Sequence, residues 1–119
     1  MAADTRELEL LCADRRVARV MRLAAQDLSN RLNLDKAARL AGLAPTYFSK
    51  CFRRKVGITF AEWSAQLRVA EAKVLLKVSD LSITAIAATV GYSDMTTFER
   101  VFRRIEGVSP REYKRTLQI

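Results

Sequence analysis

The sequence has no histidine at all, and its two cysteines, Cys12 and Cys51, lie 39 positions apart with no CxxC spacing. That removes the commonest zinc ligand sets and any disulfide framework. Without histidine, a cysteine pair or a glycine-rich phosphate loop, no nucleophile and base arrangement can be assembled, so an enzyme is not expected and no cofactor is implied. Carboxylate chemistry alone stays open. Proline occurs twice and glycine four times, which is too little punctuation for a chain of strands and loops. The opening residues MAADTRELELLCADRR mix acids and bases, and they hold no apolar stretch long enough for a signal peptide or a membrane span. The expectation is a cytoplasmic protein with no membrane partner.

What is present is one domain's worth of chain, 119 residues, half of them apolar. Lysine and arginine number 21 against 13 acidic residues, a net charge of +8. The excess is concentrated: residues 31 to 60 carry 7 basic side chains and 1 acidic one, while residues 1 to 30 and 61 to 90 are balanced. A local basic face points to an anionic partner, and phosphates are the commonest one.

Apolar residues recur at helical spacing almost throughout, which predicts an all-α fold of about seven helices. A first helix is expected from about Asp14 to Ser29, with Val17, Val20, Met21, Ala24 and Leu28 inward, leaving residues 1–13 as a tail or a linker to another domain. A second should run from Leu34 to Ala41, with Asn33 as N-cap and Gly42 as the left-handed exit. Pro45 opens a third, through Lys55, which Gly57 ends. Thr59-Phe60-Ala61-Glu62 is a capping box at the head of a long helix to about Val78, with Phe60, Trp63, Leu67, Ala70 and Val74 on one face. Ser82 caps a fifth helix closed by Gly91, a sixth carries Phe98, Val101, Phe102 and Ile105 inward, and Ser109-Pro110-Arg111-Glu112 opens the last.

The chain repeats itself. LDKAARLAGLAPTYFSKCFRRKVGITF from Leu34 aligns with ITAIAATVGYSDMTTFERVFRRIEGVSP from Ile83. Ala38 and Gly42 match Ala87 and Gly91 at an offset of 49, and Phe48, Phe52, Arg53, Arg54 and Gly57 match Phe98, Phe102, Arg103, Arg104 and Gly107 at an offset of 50. Each copy is a helix-turn-helix, over about 34–56 and 82–106, joined by the long helix over about 60–78 within a domain spanning 14–119. With the phenylalanines inward, Thr46, Ser49, Lys50, Arg53 and Arg54 share the outer face of one second helix, and Thr96, Thr97, Arg100, Arg103 and Arg104 that of the other.

Such faces suit double-stranded DNA. The N-terminal part of the second helix meets base edges in helix-turn-helix proteins, which puts Thr46, Ser49, Lys50, Thr96, Thr97 and Arg100 at bases. Arg53, Arg54, Arg103 and Arg104 fall near phosphates. Glu99 either accepts from a cytosine or faces solvent, and Tyr47 and Tyr92 have no assigned role. A connector of about 19 residues is roughly 28 Å long, near the roughly 34 Å between successive major grooves. A basic protein-binding module and a non-specific DNA-compacting protein remain as rival readings. Neither accounts for two matched faces.

These segments resemble the DNA-binding domain of the AraC/XylS family of bacterial transcription regulators, over about Asp14 to Arg115. The resemblance is carried by Ala41-Gly42-Leu43-Ala44-Pro45-Thr46-Tyr47-Phe48-Ser49-Lys50-Cys51-Phe52, and by Gly91-Tyr92-Ser93-Asp94, Phe98-Glu99-Arg100-Val101-Phe102 and Gly107-Val108-Ser109-Pro110 with Tyr113. It implies seven helices in two subdomains, the third and sixth entering adjacent major grooves, with the six base-reading positions above. It also implies RNA polymerase as a partner and a separate effector or dimerisation domain that these residues do not contain. Three departures stand out: Ala44 replaces the usual serine cap, Lys50 stands where arginine is common, and Glu99 replaces a small polar residue.

Overall fold

In the computed structural model, backbone is described for residues 5–117 and side chains for residues 14–117. The described residues form seven α-helices: α1 (Thr5–Gln26), α2 (Leu34–Ala41), α3 (Pro45–Val56), α4 (Phe60–Val78), α5 (Ile83–Thr89), α6 (Met95–Glu106) and α7 (Pro110–Thr116). The described residues divide into two compact units, 5–26 with 32–63, and 27–31 with 64–117.

Most helix boundaries follow from the caps. The side chains of Asn33, Thr59, Ser82 and Ser109 accept the N–H groups of Lys36, Glu62, Ala85 and Glu112. α1 departs from expectation at both ends. It begins at Thr5 rather than near Asp14, since residues 5–13 hold neither glycine nor proline to stop a helix. It ends at Gln26 rather than Ser29, where Asp27, Ser29 and Asn30 are poor helix formers and the Ser29 hydroxyl donates to Asp27 Oδ1 at 2.9 Å.

The first unit packs α1 against α2 and α3. Val17 and Val20 of α1, Ala37, Ala38 and Ala41 of α2, and Phe48, Cys51 and Phe52 of α3 are buried together with Phe60. Small alanines let the helices cross closely, and the aromatic rings fill the space below them. The Phe52 ring centroid lies 5.4 Å from Phe60, edge-on, and 5.6 Å from Trp63. Cys51 is a buried free thiol.

The second unit repeats the plan. Val69, Ala72 and Leu76 of α4 take the place of α1's apolar face, Ile86, Ala87 and Val90 come from α5 and its end, and Phe98 and Phe102 come from α6. Tyr92 is only 4% exposed and lies 5.5 Å from Phe98, which makes it a core residue, and Phe102 meets Tyr113 at 5.8 Å. The repeat therefore extends beyond the two helix-turn-helix segments. Arg16, Val17, Val20 and Ala24 of α1 have the same spacing as Arg68, Val69, Ala72 and Leu76 of α4, and Thr59, Phe60 and Trp63 as Ser109, Pro110 and Tyr113.

This corrects the face expected for α4. Phe60 and Trp63 do join a core, but Val74 is 48% exposed and Ala70 is exposed too. The helix serves two cores in succession, so its apolar positions change phase after the first turn and no single stripe runs its length. Val78, 75% exposed, ends it.

The turn after the first helix of each pair has the same hydrogen bonds in both units. Gly42 N–H donates to Arg39 O and Leu43 N–H to Ala38 O; Gly91 N–H donates to Ala88 O and Tyr92 N–H to Ala87 O. Both glycines have positive φ, 70° and 98°. α5 stops one residue before the sequence suggested, with Val90 at φ −89° and Gly91 beyond it taking the left-handed conformation. At Gly91 a Cβ would collide with the Arg68 guanidinium and the Leu28 carbonyl oxygen, whereas at Gly107, also at positive φ, it would meet nothing.

Gly91→Ala is therefore expected to destabilise the chain by about 3 kcal/mol or more, and Gly107→Ala by only about 1 to 2 kcal/mol. Urea unfolding of the two variants checks this, and equal losses would contradict the packing at Gly91. Ala44 occupies the α3 N-cap with suitable backbone angles, φ −63° and ψ 144°, but no side-chain bond. Ala44→Ser should add about 1 kcal/mol in the same assay.

Candidate nucleic-acid interface

α3 owes its outward face to the burial of Phe48, Cys51 and Phe52 on the opposite side. Thr46, Lys50, Arg53 and Arg54 are exposed, and Ser49 is half-buried. In α6 the burial of Phe98 and Phe102 leaves Thr96, Arg100, Arg103 and Arg104 exposed, with Thr97 half-buried. Every residue expected to touch a base or a phosphate thus retains accessible surface, and each set of five lies on one helix within its own unit. Glu99 is exposed, as is Tyr47.

Two of the arginines already face an acid. Arg54 Nη2 lies 3.5 Å from Asp14 Oδ1, and Arg103 Nη2 lies 3.8 Å from Glu112 Oε1. All four groups are solvent-exposed, so these pairs hold the arginines only loosely, and a phosphate can compete for them. Basic side chains also close both helices: Arg53, Arg54 and Lys55 sit in the last turn of α3, Arg103 and Arg104 in that of α6. There they complement the helix dipole.

The two helices α3 and α6 start differently. At the position of Ala44, the second copy has Asp94, whose Oδ1 accepts from Thr96 N–H at 3.1 Å and whose Oδ2 accepts from the Thr97 hydroxyl at 2.7 Å. The Thr97 bond, then the Thr96 bond, hold the Asp94 carboxyl below the usual carboxylate range, and Arg100 adds in the same direction. An aspartate directly before a helical run is a recognisable N-cap signal. The additional bond to Thr97 has no such signal, because it depends on the Thr97 rotamer.

Arg68 is the residue that sequence reasoning missed. It is 2% exposed, its Nε donates to Ser64 Oγ at 3.2 Å, and its Nη1 donates to the backbone carbonyls of Leu28 and Val90. Burial, then the nearby Arg31, pull its pKa below the ordinary arginine value. Arg31 itself lies over the Tyr92 ring, 5.0 Å from its centroid. In the first unit the matching Arg16 donates to Gly42 O at 3.3 Å. An arginine from the supporting helix thus meets the glycine turn in each copy, and in the second copy it fastens residues 27–31 to that turn.

Comparison with known proteins agrees with this arrangement. Residues 37–116 match a family described as "Helix-turn-helix domain". The chain is an AraC-type helix-turn-helix domain. It is 36% identical over 104 residues to the regulatory protein PocR of Salmonella typhimurium, covering 87% of this chain and 34% of that protein. It is 34% identical over 99 residues to the arabinose operon regulatory protein of Escherichia coli, covering 79% of this chain and 34% of the relative. The chain therefore spans about a third of the length of these curated relatives. Among solved structures it is similar to the DNA-binding domain of AdpA, the global transcriptional factor, in complex with a target DNA, with a TM-score of 0.83, 27% identity and coverage of 86% of this chain and 92% of that one. It is also similar to the C-terminal domain of AraT, a response regulator from Geobacillus stearothermophilus, with a TM-score of 0.81, 31% identity and coverage of 85% and 84%. No described helix of this AraC-type domain is long and apolar enough to cross a membrane.

The depressed Asp94 pKa has a sign that can be measured. A group whose folded pKa lies below its unfolded one contributes stability that is present above the unfolded value and is lost as pH falls through the folded value. The stability advantage of the wild type over Asp94→Ala should therefore be constant from neutral pH to about pH 4 and shrink on further acidification. Urea unfolding along a pH series checks it, and an advantage that grew with acid would reverse the assignment.

Proposed function

We propose that this chain is the DNA-binding part of a transcription regulator, and that α3 and α6 each enter a major groove at neighbouring segments of one operator. The observation that carries the proposal is the matched pair of units, each presenting hydroxyl and cationic side chains on the second helix of a glycine-turn pair. The DNA-bound AdpA domain and the regulator names of the curated relatives support it.

Side-chain shape assigns the roles. Arg100 is suited to a bidentate pair with guanine O6 and N7, Lys50 donates to the same acceptors as a point charge, and Thr46, Ser49, Thr96 and Thr97 bond base edges or touch a thymine methyl. Arg53, Arg54, Arg103 and Arg104 neutralise phosphates, adding salt-sensitive affinity without direct sequence information. Because the two readers differ in sequence, one chain needs no palindrome. The relatives' greater length supports a neighbouring effector or dimerisation domain in the whole regulator, with RNA polymerase as the further partner.

Selection from a random pool of roughly 20-base-pair duplexes should enrich a two-part motif with about one helical turn between its halves, bound roughly 10³-fold or more above scrambled DNA. Absence of a motif, with binding that vanishes in salt, would leave only non-specific attraction. On the selected operator, Arg100→Ala should cost about 1 to 3 kcal/mol and relax preference at one base. Arg53→Ala should weaken all duplexes alike and reduce the salt slope by about one.

A further inference from the structure

The second reader contains a side-chain pair that has no counterpart in the first. Asn33, Thr59, Ser82 and Ser109 each cap a helix by accepting one backbone N–H. Asp94 Oδ1 accepts the Thr96 N–H, and its second oxygen takes the Thr97 hydroxyl proton at 2.7 Å. At the matched positions of α3 stand Ala44 and Tyr47, which cannot make such a bond. The second oxygen thus holds a side chain on the outer face of α6.

Building on the operator-reading proposal, we infer that Asp94 is a specificity-determining residue that sets the hydrogen-bonding polarity of Thr97. A threonine hydroxyl has one proton and two lone pairs. With the proton committed to a carboxylate, a charge-assisted bond stronger than a neutral one, Thr97 offers a base edge only acceptor lone pairs. In the major groove adenine and cytosine carry donors, N6 and N4, whereas guanine and thymine present acceptors only. Thr97 held by Asp94 therefore favours adenine or cytosine at the base it meets. The carboxylate stays ionised at neutral pH, so it can only accept, and Thr97 cannot reverse its bond while the pair is intact. Arg100, one turn further along α6, is the cation whose charge acts on Asp94, and it stabilises the ionised form.

Asp94→Asn tests this directly, because asparagine caps a helix as well as aspartate does. Its Oδ1 keeps the Thr96 N–H, while its Nδ2 now donates to Thr97 Oγ1 and turns the threonine proton outward. Binding of wild type, Asp94→Asn, Thr97→Val and the double variant is measured on the selected operator, with all four bases placed in turn at each position. A helical melt by circular dichroism confirms that each variant is folded.

The expected result is that Asp94→Asn moves the preference at a single base pair from adenine or cytosine toward guanine or thymine, by roughly threefold to tenfold. Thr97→Val should flatten the preference there, and in that background Asp94→Asn should have no further effect on it. Loss of the negative charge raises affinity for every duplex alike, which base preference does not register. If Asp94→Asn changes all duplexes in equal proportion, or if its shift in preference persists without the Thr97 hydroxyl, the inference is wrong. A wild-type chain that enriches no motif overturns the operator reading beneath it. A wild-type motif whose base preference Asp94→Asn leaves intact overturns only the role of Asp94.

Discussion

Each copy of the helix-turn-helix is built around a left-handed glycine turn, with an arginine of the preceding helix laid against it. In the second unit that arginine is fully enclosed. Removing a guanidinium from water is costly, and no carboxylate among the described residues pairs with it; backbone carbonyls of Leu28 and Val90 and the Ser64 hydroxyl offset the cost instead. Those carbonyls lie in the segment after α1 and at the end of α5, and the one guanidinium bonds both. Because Gly91 has no Cβ, the guanidinium can approach the turn. The turn sets the direction of α6, and the packing of Phe98 and Phe102 fixes which face of α6 stays in solvent.

The same logic explains why the outer faces of α3 and α6 are so polar. Their inner faces use the large aromatic residues, with Phe48, Phe52, Phe98 and Phe102 all completely buried, and the opposite face of each helix carries the polar side chains. Exposed cations on such a face cost little to maintain. Pairs such as Arg54 with Asp14 are weak in water, whereas contact with a polyanion also releases counterions, so the balance favours a polyanion at low salt.

Much of this was legible in the sequence because caps, turn glycines and aromatic spacing are local signals. Asn33, Thr59, Ser82 and Ser109 stand where the helices begin, and Gly42, Gly57, Gly91 and Gly107 take the positive φ that ends or follows them. The face of α4 was misjudged because a hydrophobic stripe presumes one core. α4 contributes Phe60 and Trp63 to one unit and Val69, Ala72 and Leu76 to the other. The end of α1 differs because Asp27, Ser29 and Asn30 are poor helix formers, which hydrophobic periodicity does not register.

The amino-acid order by itself determined the all-α class, the duplication, the helix order and the outward positions of α3 and α6, since each depends on contacts within a few residues along one helix. Only the tertiary structure decided the fate of Arg68 and Tyr92. Arg68 and Leu28 are 40 positions apart. Whether a polar side chain is buried, and what it bonds, depends on groups brought together by folding. An arginine in a helix looks like a solvated cation until a distant carbonyl is found against it.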